Sequence, residues 1–236
     1  MNPIIVVPAR MASTRLPGKP LADINGKPMI VRVLEKCREA DIGPVIVATP
    51  DGEIADVVRG VGFDAVLTQR CLVSGSDAVW DAIKMRPEQD TNRVAVNVQG
   101  DQVGILPEHI KSVLLPIADF RVDMATLVAP LSDAERNNEN TVKAVVGKDG
   151  RALYFSRLPI PSGPGTLWGH IGVYAYRRQA IQRFANLPPS PLELRERLEQ
   201  LRALENRMVI GCAVVDSAPL EVNTQADLDR VRGLLN

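Results

Sequence analysis

The sequence predicts an α/β fold built on a mostly parallel sheet, and three observations carry that prediction. Short apolar runs at 4–7, 45–48 and 65–67 have the composition of strands buried on both faces. Between them, apolar residues recur at helical spacing, so the chain alternates strand and helix. A βαβαβ rhythm of this kind implies right-handed crossovers and parallel pairing. The third observation is bulk: of 236 residues 45% are hydrophobic and 24% charged, enough for a sizeable core in a single domain spanning 1–236.

The elements follow in order. After the strand at 4–7, Asn25-Gly26 marks a turn, and Pro28 stands where a proline best opens a helix. Met29, Ile30, Val33, Leu34 and Cys37 then give residues 28–39 one apolar face. Val45 to Ala48 is the second strand, Ile54, Val57, Val58 and Val61 mark a second helix, and 65–67 is the third strand. Residues 68–77 form a glycine-containing loop that opens a helix running to about Met85. Arg93 to Asp101 is the clearest central strand and delivers Asp101 to its carboxyl tip.

Pro107 begins a helix to about Leu115, and Met124 to Pro130 is a strand. Residues 142–146 and 152–155, joined through Asp149-Gly150, form a hairpin. Residues 159–166 are a proline- and glycine-rich loop, 170–176 a strand, and a helix starts near Arg178. Ser190, Pro191 and Glu193 form a capping box for a helix whose apolar stripe is Leu194, Leu198, Leu201 and Leu204. Val209 to Val215 is the last strand, and Thr224 caps a terminal helix.

Composition narrows the function classes. Lys+Arg and Asp+Glu both number 28, so no general basic face is available for nucleic acid. The first residues carry no charged n-region and the apolar run behind them is short, so neither a signal peptide nor a membrane span is expected, and a cytoplasmic protein is. Cys37, Cys71 and Cys212 lie far apart, with no disulfide or zinc spacing.

The chemistry concentrates in residues 8–20, a loop beyond the first strand that holds Arg10, Ser13, Thr14, Arg15, Gly18 and Lys19. Backbone N–H groups and cations aimed into one small volume suit a polyphosphate. A cation about 4 Å from one phosphate charge is worth roughly 4 kcal/mol at an effective dielectric near 20. In open α/β sheets ligands sit beyond the carboxyl ends of strands, which is where this loop and the 68–77 loop both lie.

Six stretches in order, 8–20, 24–29, 97–101, 152–157, 170–177 and 190–193 with 198–202, resemble the CMP-sugar synthetases of the 3-deoxy-manno-octulosonate (Kdo) type. These are nucleotidyltransferases of a Rossmann-like α/β class with a mixed, mostly parallel sheet flanked by helices. The resemblance implies that the anomeric hydroxyl of Kdo attacks the α-phosphorus of CTP, releasing pyrophosphate and forming CMP-Kdo for lipopolysaccharide assembly. It implies Mg²⁺ as cofactor, CTP and a small sugar acid as partners, and a homodimer. By position it places Arg10, Lys19 and Asp101 as catalytic. Pro8, Ala9, Arg10, Ser13, Arg15, Lys19, Gln69, Ser74 and Gly75 would bind the nucleotide. Gln99, Arg157, His170, Tyr174 and Gln200 would bind the sugar acid, with the Arg157 fork matched to its carboxylate. Asp101 and residue 223 would hold the metal, and the strand-rich stretch 124–177 would form the dimer interface.

The chain departs from that pattern in its groove. Asn223 stands where an Asp is usual, which removes a carboxylate that Mg²⁺ prefers. Gln102-Val103 replaces Glu or Leu followed by Pro, and Leu72 and Ala78 replace a His and an Arg. Three readings stay open: Kdo activation with weaker metal binding, the same chemistry on another acidic acceptor, or a catalytically weak nucleotide-binding paralogue.

Overall fold

The structure, a computed structural model, describes residues 1–13, 15–69, 72, 74–86 and 93–234. The chain divides into two compact units, Met1–Ile110 with Pro219–Asn236, and Lys111–Ala218.

The first unit holds the parallel sheet. Strand β1 (Pro3–Pro8) lies between β4 (Val45–Thr49) and β6 (Val94–Asn97), and β5 (Asp64–Leu67) extends the sheet beyond β4. All four run the same way, as the crossover pattern required. Ile5, Val6, Val7, Ile46, Val47 and Val96 are wholly buried, which is why their runs are apolar without alternation. Asn25 and Gly26 both take positive φ, 49° and 81°, in the two-residue turn between β2 (Asp23–Ile24) and β3 (Lys27–Pro28). Pro28 caps the helix from outside it, and α1 (Met29–Glu39) begins one residue later than the sequence suggests. Helices α2 (Gly52–Gly60) and α3 (Gly75–Lys84) fill the next crossovers, and α4 (Pro107–Ser112) is shorter than the stretch to Leu115 predicted for it.

The second unit pairs β7 (Met124–Pro130) antiparallel with β10 (Trp168–Arg177) and parallel with β11 (Ile210–Val214). The expected hairpin is present as β8 (Lys143–Val146) and β9 (Ala152–Ser156), with Gly150 at φ 77° in its turn. Helix α5 (Arg178–Ala185) follows β10. The helix expected from Ser190 onward is broken in two, α6 (Pro191–Glu196) and α7 (Gln200–Glu205), because Arg197 takes a left-handed conformation at φ 57°. The leucine stripe concealed this: Leu201 is buried but Leu194 is 66% exposed. The capping box itself is made, with Ser190 Oγ accepting from Glu193 N and Glu193 Oε2 accepting from Ser190 N.

The chain closes with α8 (Gln225–Leu234) in the first unit. Thr224 caps it, its hydroxyl accepting from Asp227 N at 3.2 Å.

Candidate active site

A cleft of about 370 Å³ opens in the first unit, within the size range of small-molecule sites. Three stretches of the chain line it. From the first loop come Pro8, Ala9, Arg10, Ser13, Arg15 and Lys19. From the second come Gln69, Leu72, Ser74, Gly75 and Ala78, and from beyond β6 come Gln99, Gly100 and Asp101.

The loops are held by their own backbone and by the carboxylates of Asp51 and Asp81. Ala9 N donates to Ala48 O at 3.0 Å, tying the start of the first loop to the end of β4. Met11 N donates to Asp51 Oδ2 at 2.8 Å, and Gly18, at φ 70°, closes the loop by donating to Met11 O at 3.2 Å. Gln69 N donates to Asp81 Oδ2 at 3.0 Å, and Asp81 is only 2% exposed. Ser74 and Asp77 cap α3 reciprocally. Gly100 is closely packed, since a Cβ there would stand 3.2 Å from Pro8 O and 3.1 Å from Ile30 Cδ1, so that its neighbours would have to give way.

Lys19 and Asp101 meet. Lys19 Nζ lies 2.6 Å from Asp101 Oδ2 and 3.1 Å from Val222 O, and both side chains keep partial access to solvent. Arg15 Nη2 donates to Asn223 Oδ1 at 3.0 Å, which brings residue 223 to the same edge. Gln99 Nε2 donates to Asn97 Oδ1 at 3.0 Å, so the buried Asn97 sets its orientation. Gln102, fully buried, donates from Nε2 to Glu221 Oε1 at 3.0 Å. Burial, and then the neighbouring Asp101, push the Glu221 carboxyl above its ordinary pKa, while Gln102, Lys19 and Asn223 oppose the shift.

Among the described residues no group of three or more His, Cys, Asp and Glu side chains is placed to hold a metal. A cation here would therefore take some of its oxygens from phosphates and water, which is how Mg²⁺ is usually bound.

The expected sugar-acid residues other than Gln99 belong to the second unit. His170, Tyr174 and Gln200 come together. The His170 and Tyr174 rings lie 5.6 Å apart, and Tyr174 Oη donates to Gln200 Oε1 at 3.1 Å. Gln200 Nε2 is buried with no hydrogen-bond partner among the described residues. Thr126 Oγ1 sits 2.9 Å from His170 Nε2, at the bulge in β10 between Ile171 and Tyr174. Desolvation pulls the His170 pKa down to about 3, so the imidazole is neutral at ordinary pH. Arg157 spends three donors on backbone carbonyls, from Nε to Glu196 O, Nη1 to Glu139 O and Nη2 to Arg197 O. Two of its five N–H groups are outside those bonds. Cys37 is buried, and the same burial raises its thiol pKa. Cys71 lies outside the described residues.

Sequence reasoning missed three side chains that shape the cleft: Asp81, Glu221 and the anchoring role of Asp51. None carries a motif of its own, and each is found only by the hydrogen bond that it makes across the fold.

A mostly parallel α/β sheet with a cationic cleft beyond its strand ends is the architecture of a nucleotidyltransferase. Residues 4–210 match the cytidylyltransferase family. The chain is 51% identical to the 3-deoxy-manno-octulosonate cytidylyltransferase of Paramagnetospirillum magneticum, across 100% of this chain and 98% of that protein. It is 53% identical to the protein of the same name from Rhodospirillum centenum, across 100% and 94%. Its structure also matches that of a CMP:2-keto-3-deoxy-manno-octonic acid synthetase solved in complex with CTP. There the TM-score is 0.92 and the identity 37%, over 100% of this chain and 98% of that one. The chain belongs to the 3-deoxy-manno-octulosonate cytidylyltransferase family.

Proposed function

We propose that this chain transfers CMP from CTP to the anomeric hydroxyl of 3-deoxy-manno-octulosonate and releases pyrophosphate. The observation that carries the reading is the Lys19–Asp101 pair at 2.6 Å, which stands at the edge of a cleft also lined by Arg10 and Arg15. Phosphoryl-type transfer needs positioning and charge stabilisation more than a covalent protein partner, and this cleft offers both.

Arg10, Arg15 and Lys19 hold the triphosphate, with Ser13, Gln69, Ser74 and the backbone at Pro8, Ala9 and Gly75 completing its cradle. Gln99 orients the reacting centre. Arg157 meets the acceptor carboxylate with its two remaining N–H groups, and neutral His170, Tyr174 and Gln200 supply hydrogen bonds to the sugar. The hydroxyl oxygen bonds to the α-phosphorus, the bond from that phosphorus to the bridging oxygen of the β-phosphate breaks, and the hydroxyl proton passes to water. Magnesium, held by Asp101 and the oxygen of Asn223, would neutralise charge on the phosphate oxygens. The donor set fits at Asp101, whose carboxylate lines the cleft, and is weaker at Asn223, whose single side-chain oxygen already accepts from Arg15.

Exposed Leu153 and Leu158, inside the strand-rich 124–177 stretch, support a homodimer formed through that region. No helix among the described residues is long and apolar enough to cross a membrane, and a cytoplasmic location suits a nucleotide-consuming enzyme.

Pyrophosphate release with CTP and Mg²⁺, measured against a panel of sugar acids, tests the proposal. Turnover with 3-deoxy-manno-octulosonate well above the other acids is expected. Tight CTP binding with no pyrophosphate from any acceptor would overturn it.

A further inference from the structure

We infer that Glu221 supplies a second carboxylate to the cation site beside Asp101, where Asn223 offers only an amide oxygen; the inference rests on the cytidylyltransferase reading above. The backbone puts Glu221 there. Val222 N donates to Asp101 O and Gly104 N to Leu220 O, both at 3.0 Å, so residues 220–222 run alongside 101–104 with Glu221 between the two bonds. Gly104 permits the approach, since a Cβ on it would stand 2.5 Å from Leu220 N. Lys19 Nζ, bonded to Asp101, also reaches Val222 O at 3.1 Å.

Two amide side chains hold the Glu221 carboxylate. Gln102 Nε2 donates to it at 3.0 Å, and the Asn223 side chain hydrogen-bonds to it as well. Both partners are amides at positions where the resemblance leads one to expect other groups, an Asp at 223 and Glu or Leu at 102. A carboxylate at either position would repel Glu221, whereas an amide supplies a donor. Gln102 and Asn223 thus hold one carboxylate between them, and Asp101 and Glu221 are the two carboxylates at this edge. A separate observation points to a missing ligand in the same cluster. Gln102 Oε1 is buried with no hydrogen-bond partner among the described residues, and an orphaned oxygen of this kind is what a cation or its water satisfies.

Mn²⁺ titrated into the full chain in the presence of CTP, with free Mn²⁺ followed by electron paramagnetic resonance, tests this without reference to turnover. Glu221→Gln keeps the shape of the side chain and is expected to weaken Mn²⁺ binding by about tenfold or more, as Asp101→Asn does. The double variant Glu221→Gln with Asn223→Asp is expected to recover most of the loss. Wild-type Mn²⁺ affinity in Glu221→Gln beside a weakened Asp101→Asn would overturn this inference alone, and so would a double variant that recovers nothing. Unchanged affinity in Asp101→Asn as well would overturn the cation site itself. CTP affinity and thermal melting of each variant separate these outcomes from misfolding.

Discussion

In the first unit the polar groups of the cleft leave strand ends on loops and keep access to water, whereas the cluster around His170, Tyr174 and Gln200 is carried by a strand and a helix of the second unit. The first region is charged. Lys19 and Arg15 are paired with oxygens of Asp101, Val222 and Asn223 that a triphosphate and its cation can replace. The second is neutral and largely buried, with Tyr174 bonded to Gln200 and Thr126 beside His170. A loop at a strand end can exchange partners at little structural cost, while a buried network is fixed by the packing around it. The difference teaches that substitutions in the cleft should fall first on turnover, and substitutions in the buried network of the second unit first on stability.

Lys19→Ala gives the largest expected effect. Turnover should fall on the order of a thousandfold, because a charge aimed at the reacting phosphates is lost. Urea denaturation should move by no more than about 1 kcal/mol, since a partly exposed ion pair contributes little. A large loss of stability would break the contrast from its first side.

Glu193→Gln tests the other side. Glu193 and Arg202 form a buried pair at 2.6 Å, with the guanidinium 4.5 Å above the Phe184 ring. Removing one charge strands the other, so a loss of about 3–5 kcal/mol in urea denaturation is expected.

His170 sharpens the comparison through pH. Its folded pKa of about 3 lies below the unfolded value near 6.5, so the unfolded chain binds the extra proton between those limits. Its contribution is whole above pH 6.5 and is lost as pH falls toward 3, by roughly 2 kcal/mol at pH 5. Denaturation at pH 5 and pH 7 should show this slope in the wild type and a flatter one in His170→Asn.

Tyr174→Phe is expected to have the smallest effect. Loss of the bond to Gln200 should cost about 1 kcal/mol and raise the KM for the sugar acid a few-fold, with the KM for CTP unchanged. A CTP effect of equal size would dissolve the distinction between the two regions.

Legibility in the sequence followed the same division. The parallel sheet could be read because its strands are buried on both faces and therefore uniformly apolar. The first loop could be read because its three cations fall within one short stretch, Arg10 to Lys19. Asp101 could be placed at the cleft although the strand expected to carry it to 101 stops at Asn97, because the turn at 100–101 follows that strand end. The break at Arg197 could not, since a left-handed residue inside a leucine-spaced stretch leaves no mark in the spacing. Gln102 and Asn223 were visible as departures, yet their shared partner Glu221 was not, because Gln102 reaches it across 119 residues through a side-chain hydrogen bond. The anchoring roles of Asp51 and Asp81 escaped for the same reason.

A crystal structure of this chain with CTP and Mg²⁺ tests the central claim most directly. The account predicts triphosphate oxygens within hydrogen-bonding distance of Lys19 Nζ and the loop at 8–20, with the cation on the Asp101 carboxylate. A nucleotide whose phosphates lie away from that loop, with Lys19 and Asp101 still paired to each other, would contradict it.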